Sequence, residues 1–314
     1  MSRFILRRLG FVVLTIVLVS ILIFFATQVL PGDVANVILG QFGTPEARAN
    51  LRAELGLDRP LIVQYLSWLG NFFMGDWGTS LSTGAEVRPL VMERLRNSMI
   101  LAAFAFVLYV PLGIVLGLVA ALRRNKGADN VISVGSLVFI GLPEFVSGAV
   151  LIFIFALTLH WFPSQSAVDY SDGFWQALPA LVLPAVTVSL VSLAHIVRMT
   201  RSSTVEVLDM DYVRTAHLKG ASASRVLFGH VMRNALLPTV TVISLGIGWL
   251  IGGLIVAETV FSYPGLGRLM LYGIERRDLP VIQACAMVVV IVVGVANLVA
   301  DIIYAALNPR IAYK

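Results

Sequence analysis

Long apolar stretches alternate with short polar ones along this chain. Runs of mostly apolar residues lie at about 9–30, 99–121, 131–158, 179–199, 235–260 and 281–306. A hydrocarbon layer of about 30 Å is crossed by about 20 residues of α-helix, so each run is long enough to span one. The pattern therefore predicts an all-α polytopic membrane protein with about six transmembrane helices. The third run is long and interrupted by Gly141-Leu142-Pro143; the fourth opens with Pro179 and contains Pro184. Proline inside a spanning helix frees carbonyls and kinks the axis. Such kinks occur in helices that line a path and also in ordinary bundles.

Composition supports a bilayer as the solvent. Of 314 residues, 58% are hydrophobic and 13% charged, and the mean hydropathy is +0.88. A soluble domain is nearer half apolar and a quarter charged. The net charge of +5 does not indicate nucleic acid, because the basic residues cluster in the segments between apolar runs, as membrane topology requires. Cys285 is the single cysteine and lies within an apolar run, so no disulfide framework or cysteine metal site can form within one chain; it reads as a small buried hydrophobe. Arg3, Arg7 and Arg8 precede the first run, which is too long for a signal-peptide core and has no small-residue cleavage pattern after it. It is expected to remain as the first span.

Fourteen of the 23 Lys and Arg residues fall on one side of the predicted topology, in short segments beside span ends: 3–8, 123–126, 198–233 and 310–314. The positive-inside rule places that side, and both termini, in the cytoplasm. The outer segment 31–98 is long. Thr44 and Pro45 predict the start of a short polar helix that stops at Gly56, and Leu61 to Met74 predicts an interfacial helix with Trp68, Phe72 and Phe73 on one face. The expected organisation is a first span with an outer scaffold segment (1–98), followed by a five-helix core (99–314) that carries a cytoplasmic loop at 200–234.

That loop is the most informative segment. Thr204 to Leu208 continues the fourth span into the cytosol. Asp209 and Asp211 then favour the N-terminus of a second short helix. On it Tyr212, Thr215, Ala216 and Lys219 recur at three- to four-residue spacing on one side, and Gly220 stops it. Ala221 to Ser224 is a turn or new cap, and Arg225 to Met232 is amphipathic. A short helix held off the membrane between two spans can enter a groove on a soluble partner, or it can lie on lipid headgroups.

Two strings in this loop, Asp211-Tyr212-Val213-Arg214-Thr215-Ala216-His217-Leu218-Lys219-Gly220 and Arg233-Asn234-Ala235-Leu236-Leu237-Pro238, resemble the cytosolic coupling loop of the permease subunits of binding-protein-dependent ABC importers, in the form found in the oligopeptide/dipeptide branch. Arg214-Thr215-Ala216 stands where the general pattern has Glu-Ala-Ala, and Arg233 where sugar and amino-acid permeases have proline; both departures are shared by the peptide branch. Leu30-Pro31-Gly32-Asp33, Leu55-Gly56-Leu57-Asp58, Gly75-Asp76-Trp77-Gly78-Thr79-Ser80, Glu258-Thr259-Val260-Phe261, Pro264-Gly265-Leu266-Gly267, Asp278 to Gln283 and Asn308-Pro309-Arg310 are similar to the same branch, although many relatives carry Asp at the position of Asn308. The resemblance implies a type I importer bundle in the bacterial inner membrane, without catalysis of its own. It implies partners: a homologous second permease subunit, two cytoplasmic ATPases that bind ATP and Mg2+, and an extracytoplasmic solute-binding protein. Asp211, Tyr212, Arg214, Thr215, Ala216, Lys219, Gly220 and Ser222 become the expected ATPase-coupling residues. Di- or oligopeptides are the expected cargo, with glutathione and nickel complexes also carried within the branch.

The residues themselves exclude other chemistry. No G-x-x-x-x-G-K-[ST] loop is present to cradle ATP phosphates, and there is no H-E-x-x-H or G-x-S-x-G. No cofactor or metal is expected in this chain. Three carboxylates lie within apolar runs, where a charge costs a few kcal/mol. Glu144 follows Pro143 and either lines a path, meeting a cationic group on the cargo, or bonds a neighbouring helix. Glu258 lies near the outer end of its span as a gate residue or a cap, and Asp301 near the inner end of the last. A proton-coupled peptide symporter would need these acids to form a chain, and their expected depths differ too widely. His195 reads as a hydrogen-bonded structural histidine rather than a proton relay. With Ser192 one turn away it offers only thin grounds for an intramembrane hydrolase.

Overall fold

In a computed structural model of the chain, residues 2–29, 44–46, 49, 58–168, 170 and 173–307 are described. The short helix expected at 45–56 and the strings at 30–33, 55–58 and 308–310 fall wholly or largely outside them. The elements are α1 (Ser2–Val29), α2 (Leu61–Met74), α3 (Val87–Leu122), α4 (Gly127–Gly141), α5 (Glu144–Thr158), α6 (Phe174–Leu208), α7 (Asp211–Leu218), α8 (Ala223–Val260), α9 (Leu266–Arg276) and α10 (Leu279–Leu307). Among the described residues the only extended pairing is one antiparallel bridge between Thr79 and Glu86.

Five helices are long and apolar enough to cross a bilayer unbroken, within α1, α3, α6, α8 and α10, and the α4–α5 pair is the sixth candidate. That pair bends by 112° where the sequence places Gly141-Leu142-Pro143. Leu142 and Pro143 are both extended, with ψ of 128° and 141°, because a residue before proline is pushed out of the helical region. The third span is thus two helices at a steep angle rather than one kinked rod. Pro111, Pro179, Pro184 and Pro238 are all accommodated inside continuous helices.

The chain divides into two compact units. One contains residues 1–4, 99–264 and 296–314; the other contains 5–98 and 265–295. In the first, Leu101, Tyr109, Leu181, Val188, Ile196, Leu250, Leu254 and Tyr263 form the core of α3, α6 and α8. Close approach is made possible by glycine: a Cβ on Gly113 would lie 2.7 Å from Ile196, and one on Gly117 2.6 Å from Thr200. Small polar residues join α6 to α8. The Thr200 and Thr239 hydroxyls are 3.1 Å apart, and Ser203 donates to the Ala235 carbonyl at 2.8 Å. Packing through small residues and short hydrogen bonds is what a bilayer favours, since lipid gives no hydrophobic reward for helix contact.

The second unit packs α1, α2, the start of α3, α9 and the start of α10 around Phe72, Val87, Val91, Leu266, Val281 and Met287. Cys285 is wholly buried in this cluster, as its apolar setting predicts. The α2 helix ends at Gly75 as the sequence suggests, and Trp77 stacks on Phe72 with ring centroids 5.0 Å apart. The turn that follows is pinned by Asp278, at the junction of α9 and α10. Its Oδ2 accepts hydrogen bonds from Ser80 Oγ, from the Ser82 amide at 3.0 Å and from Ser82 Oγ at 2.8 Å. Burial alone pushes the Asp278 carboxyl up, yet the bonds from Ser80, Ser82 and the Leu81 amide together outweigh it and hold the group below its ordinary range.

Candidate functional site

The polar loop is shorter than its composition suggests, because both flanking spans run on into it. The α6 helix continues to Leu208 and α8 begins at Ala223, so only 209–222 lies between them, and most of that is α7. The stretch Arg225 to Met232 is the first part of α8, carried into the span through a π-turn at Leu227–Val231. Asp211 opens α7, where a carboxylate is favoured by the free amides and helix dipole, and the Thr215 hydroxyl bonds back to the Asp211 carbonyl at 2.9 Å. Gly220 closes it with φ +79°; a Cβ there would meet nothing within 4 Å. Backbone conformation, not space, therefore requires glycine at this position.

The seating of α7 depends on its apolar residues. Val213 is 2% exposed and packs with Val207, Val226, Val231 and Ala235, with Ala216 and Ala221 against the same cluster. Tyr212 is held above it: Asn234 Nδ2 donates to the Tyr212 hydroxyl at 2.9 Å, and that hydroxyl donates to the His230 carbonyl at 3.4 Å. The two separated strings of the loop, one containing Tyr212 and the other Asn234, thus meet in space. This corrects one expectation. Ala216 faces inward with Val213, while Tyr212, Thr215 and Lys219 are exposed, so the four residues expected on one side are split between two. Ser222 precedes α8 as a cap by backbone only; its carbonyl accepts the Val226 amide at 3.0 Å and its side chain makes no capping bond. Leu218, 80% exposed at the end of α7, was not singled out from the sequence. Its signal was an apolar residue on the helix face away from Val213.

Two ion pairs stand at the base of this structure. Arg124, in the turn between α3 and α4, lies 3.0 Å from Asp209, with both side chains more than half exposed. Asp129, in the first turn of α4 and 2% exposed, receives both Nε and Nη2 of Arg201 from α6, the second at 2.7 Å.

The intramembrane candidates differ in their surroundings. Glu144 is half-buried at the first position of α5, with its carboxylate against Gly253 of α8, where a Cβ would come within 2.8 Å of it. Glu258 is 1% exposed, so in this conformation it faces no open passage. His195 is exposed rather than bonded into the core, and with Ser192, Tyr109 and Trp249 it lines an apolar cavity of about 240 Å3. No hydrogen bond joins Ser192 to His195, so the arrangement gives no activated nucleophile.

Comparison with known proteins identifies the family. Residues 113–313 match the family of binding-protein-dependent transport system inner membrane components, and residues 1–102 match the N-terminal component of such membrane proteins. Over 313 residues and the full length of both chains, the sequence is 38% identical to a probable peptide ABC transporter permease, y4tP, of Sinorhizobium fredii (strain NBRC 101917 / NGR234). It is 38% identical over the same length to a putative peptide transport system permease of Brucella abortus (strain 2308), again covering both chains fully. Over 340 residues it is 37% identical to the dipeptide transport system permease DppB of Escherichia coli (strain K12), with both chains covered in full. A chain of the MetNI methionine ABC transporter, solved in inward facing conformations, superposes with a TM-score of 0.52 at 18% identity, covering 71% of this chain and 96% of that one; at that identity the likeness concerns the fold.

Proposed function

The chain belongs to the inner-membrane components of binding-protein-dependent transport systems, in the peptide branch of the ABC importer permeases, and from that premise we propose that it takes up ATP-driven motion through α7 and passes it to the spans that conduct a peptide-like solute into the cytoplasm. The supporting observation is the construction of α7. One face is locked to the ends of α6 and α8 by Val213, Ala216 and the Tyr212–Asn234 bond, and the other presents Arg214, Thr215, Leu218 and Lys219 outward. A helix so seated moves with the spans it joins, and its exposed leucine needs a groove to enter.

In this reading two cytoplasmic ATPases hold ATP and Mg2+ and receive α7, a homologous second permease completes the passage, and an extracytoplasmic binding protein delivers cargo. This chain supplies no catalytic group. Peptides with a free ammonium group suit Glu144, whose carboxylate sits at a helix start beside the bare backbone of Gly253. Glutathione remains a candidate within the same solute class. Nucleotide shifts the bundle between states only by its differential affinity for them, so the coupling contact must differ between those states.

The test is a cysteine crosslink. With Leu218→Cys in a Cys285→Ala background, the expected result is capture of an ATPase subunit from the assembled complex, with a yield that changes when ATP is trapped by vanadate. Persistent failure to capture an ATPase, in membranes where the complex is intact, would overturn the assignment of α7.

A further inference from the structure

We infer that the Asp129–Arg201 pair is a positioning brace that makes α4 travel with α6, so that motion received at α7 reaches the α4–α5 bend. The inference rests on the reading of α7 as the input helix.

The geometry is that of a fixed joint. Asp129 accepts two nitrogens of one guanidinium, the Asn125 amide at 2.9 Å and the Ser133 hydroxyl at 3.1 Å. Both oxygens are thus occupied, each by one Arg201 nitrogen and one further donor. Asn125 adopts φ +62° to deliver its amide, so the turn before α4 is shaped around this carboxylate. A two-pronged guanidinium contact fixes angle as well as distance. Arg201 stands seven residues before the end of α6, and α7 starts three residues beyond that end. The Arg124–Asp209 pair joins the same α3–α4 turn to the α6–α7 junction. Exposed pairs contribute little on their own, but this one repeats the direction of the Asp129–Arg201 link.

Stability is a weak reason for the arrangement. Replacing an ion pair largely removed from water by well-packed apolar residues is often neutral or stabilising, and the Arg201 side chain is still 31% exposed. What apolar residues do not reproduce is a fixed orientation between two helices. The α4 helix then runs from this joint to the bend of 112°, on whose far side Glu144 meets Gly253 of α8. A displacement of the end of α6 that α4 must follow is therefore delivered to the bend.

The experiment uses the assembled transporter with its ATPases in a lipid bilayer. Spin labels are placed at the exposed positions Asn130 on α4 and Glu206 on α6, after Asn130→Cys and Glu206→Cys substitution in the Cys285→Ala background. In the parent protein the interlabel distance is expected to stay the same between the nucleotide-free and ATP–vanadate-trapped states. In the apolar pair Asp129→Leu with Arg201→Met the distance is expected to change on trapping. Uptake of labelled dialanine per ATP hydrolysed should fall about three- to tenfold, while hydrolysis continues. Arg201→Lys keeps the charge and loses the fork; it should show the same two changes to a smaller degree, and it serves if the apolar pair fails to insert. A parent distance that shifts on trapping, or variants whose distance and uptake per ATP match the parent, would overturn the brace. The Leu218→Cys crosslink is read in the same samples, and its absence would count against the coupling role of α7 instead.

Discussion

Helix α7 and the turn at 75–86 are both polar segments next to apolar spans, and the chain holds them by opposite means. The α7 helix is fixed by apolar contacts through Val213 and Ala216, which leaves Arg214, Thr215 and Lys219 to solvent. The turn at 75–86 is fixed by polar contacts, with Ser80 and Ser82 converging on the wholly buried Asp278. A segment whose hydroxyls and amide converge on one buried carboxylate oxygen is held from within. A segment anchored from beneath keeps its polar groups outward, which is the arrangement the proposed coupling role requires. The comparison can be broken at either end.

The largest effect is expected at the tip of α7. Leu218→Asp puts a charge where an exposed leucine is proposed to enter an ATPase groove. Burial of a leucine is worth about 1.5–3 kcal/mol, and a desolvated carboxylate adds a further cost. Binding-protein-stimulated ATP hydrolysis and dipeptide uptake should fall by about tenfold or more, while membrane insertion, measured by the amount of protein in the inner membrane, is unchanged. Gly220→Val should follow closely. Its effect would come from strain at φ +79°, since the position is spacious, and a variant Gly220→Asn, which tolerates that region better, should recover part of the loss.

Much of this was legible in the sequence because local chemistry decided it. The spans follow from apolar runs, the steep bend from Gly141-Leu142-Pro143, the start of α7 from Asp211 and its end from Gly220. What could not be read depends on contacts between distant residues. Asp129 and Arg201 are 72 residues apart and look like ordinary interfacial charges until α4 is laid on α6. Asp278 was seen only as part of the string opening the last span; its partners are 196 and 198 residues away. The facing of Ala216 was misjudged because an alanine carries too weak a signal to orient an eight-residue helix. His195 was expected to be a hydrogen-bonded structural histidine and is instead exposed along an apolar cavity, a difference that helix periodicity does not reveal.

A second, smaller effect tests the turn at 75–86. Asp278→Ala leaves the Ser80 hydroxyl buried without its acceptor, which costs about 1–3 kcal/mol. Thermal unfolding of the detergent-solubilised protein should begin at lower temperature, and amide exchange at residues 80–83 should accelerate, while α7 exchanges as before. The same cluster predicts a pH dependence. The folded carboxyl is held below its ordinary range, so its contribution is complete above the unfolded aspartate value of about 3.9 and is lost as the pH falls from there through the lower folded value. Exchange at 80–83, corrected for intrinsic rates, should be flat from about pH 5 to 8 and rise only on acidification below that window. A rise near neutral pH would mean that another group controls the turn.

The smallest effect separates anchoring from contact within α7 itself. Tyr212→Phe removes the hydroxyl that joins Asn234 to the His230 carbonyl but keeps the ring. A typical intramolecular hydrogen bond contributes about 0.5–1.5 kcal/mol, and this one is exposed, so the lower end applies. Val213 and its neighbours still hold the helix. ATPase capture by the Leu218→Cys crosslink should therefore persist in Tyr212→Phe with uptake reduced by no more than about two- to threefold. Val213→Asp, which attacks the apolar seat, should abolish capture. If the order were reversed, with the phenol change abolishing capture and the valine change tolerated, α7 would be held by its polar contacts like the turn at 75–86, and the contrast between the two regions would fail.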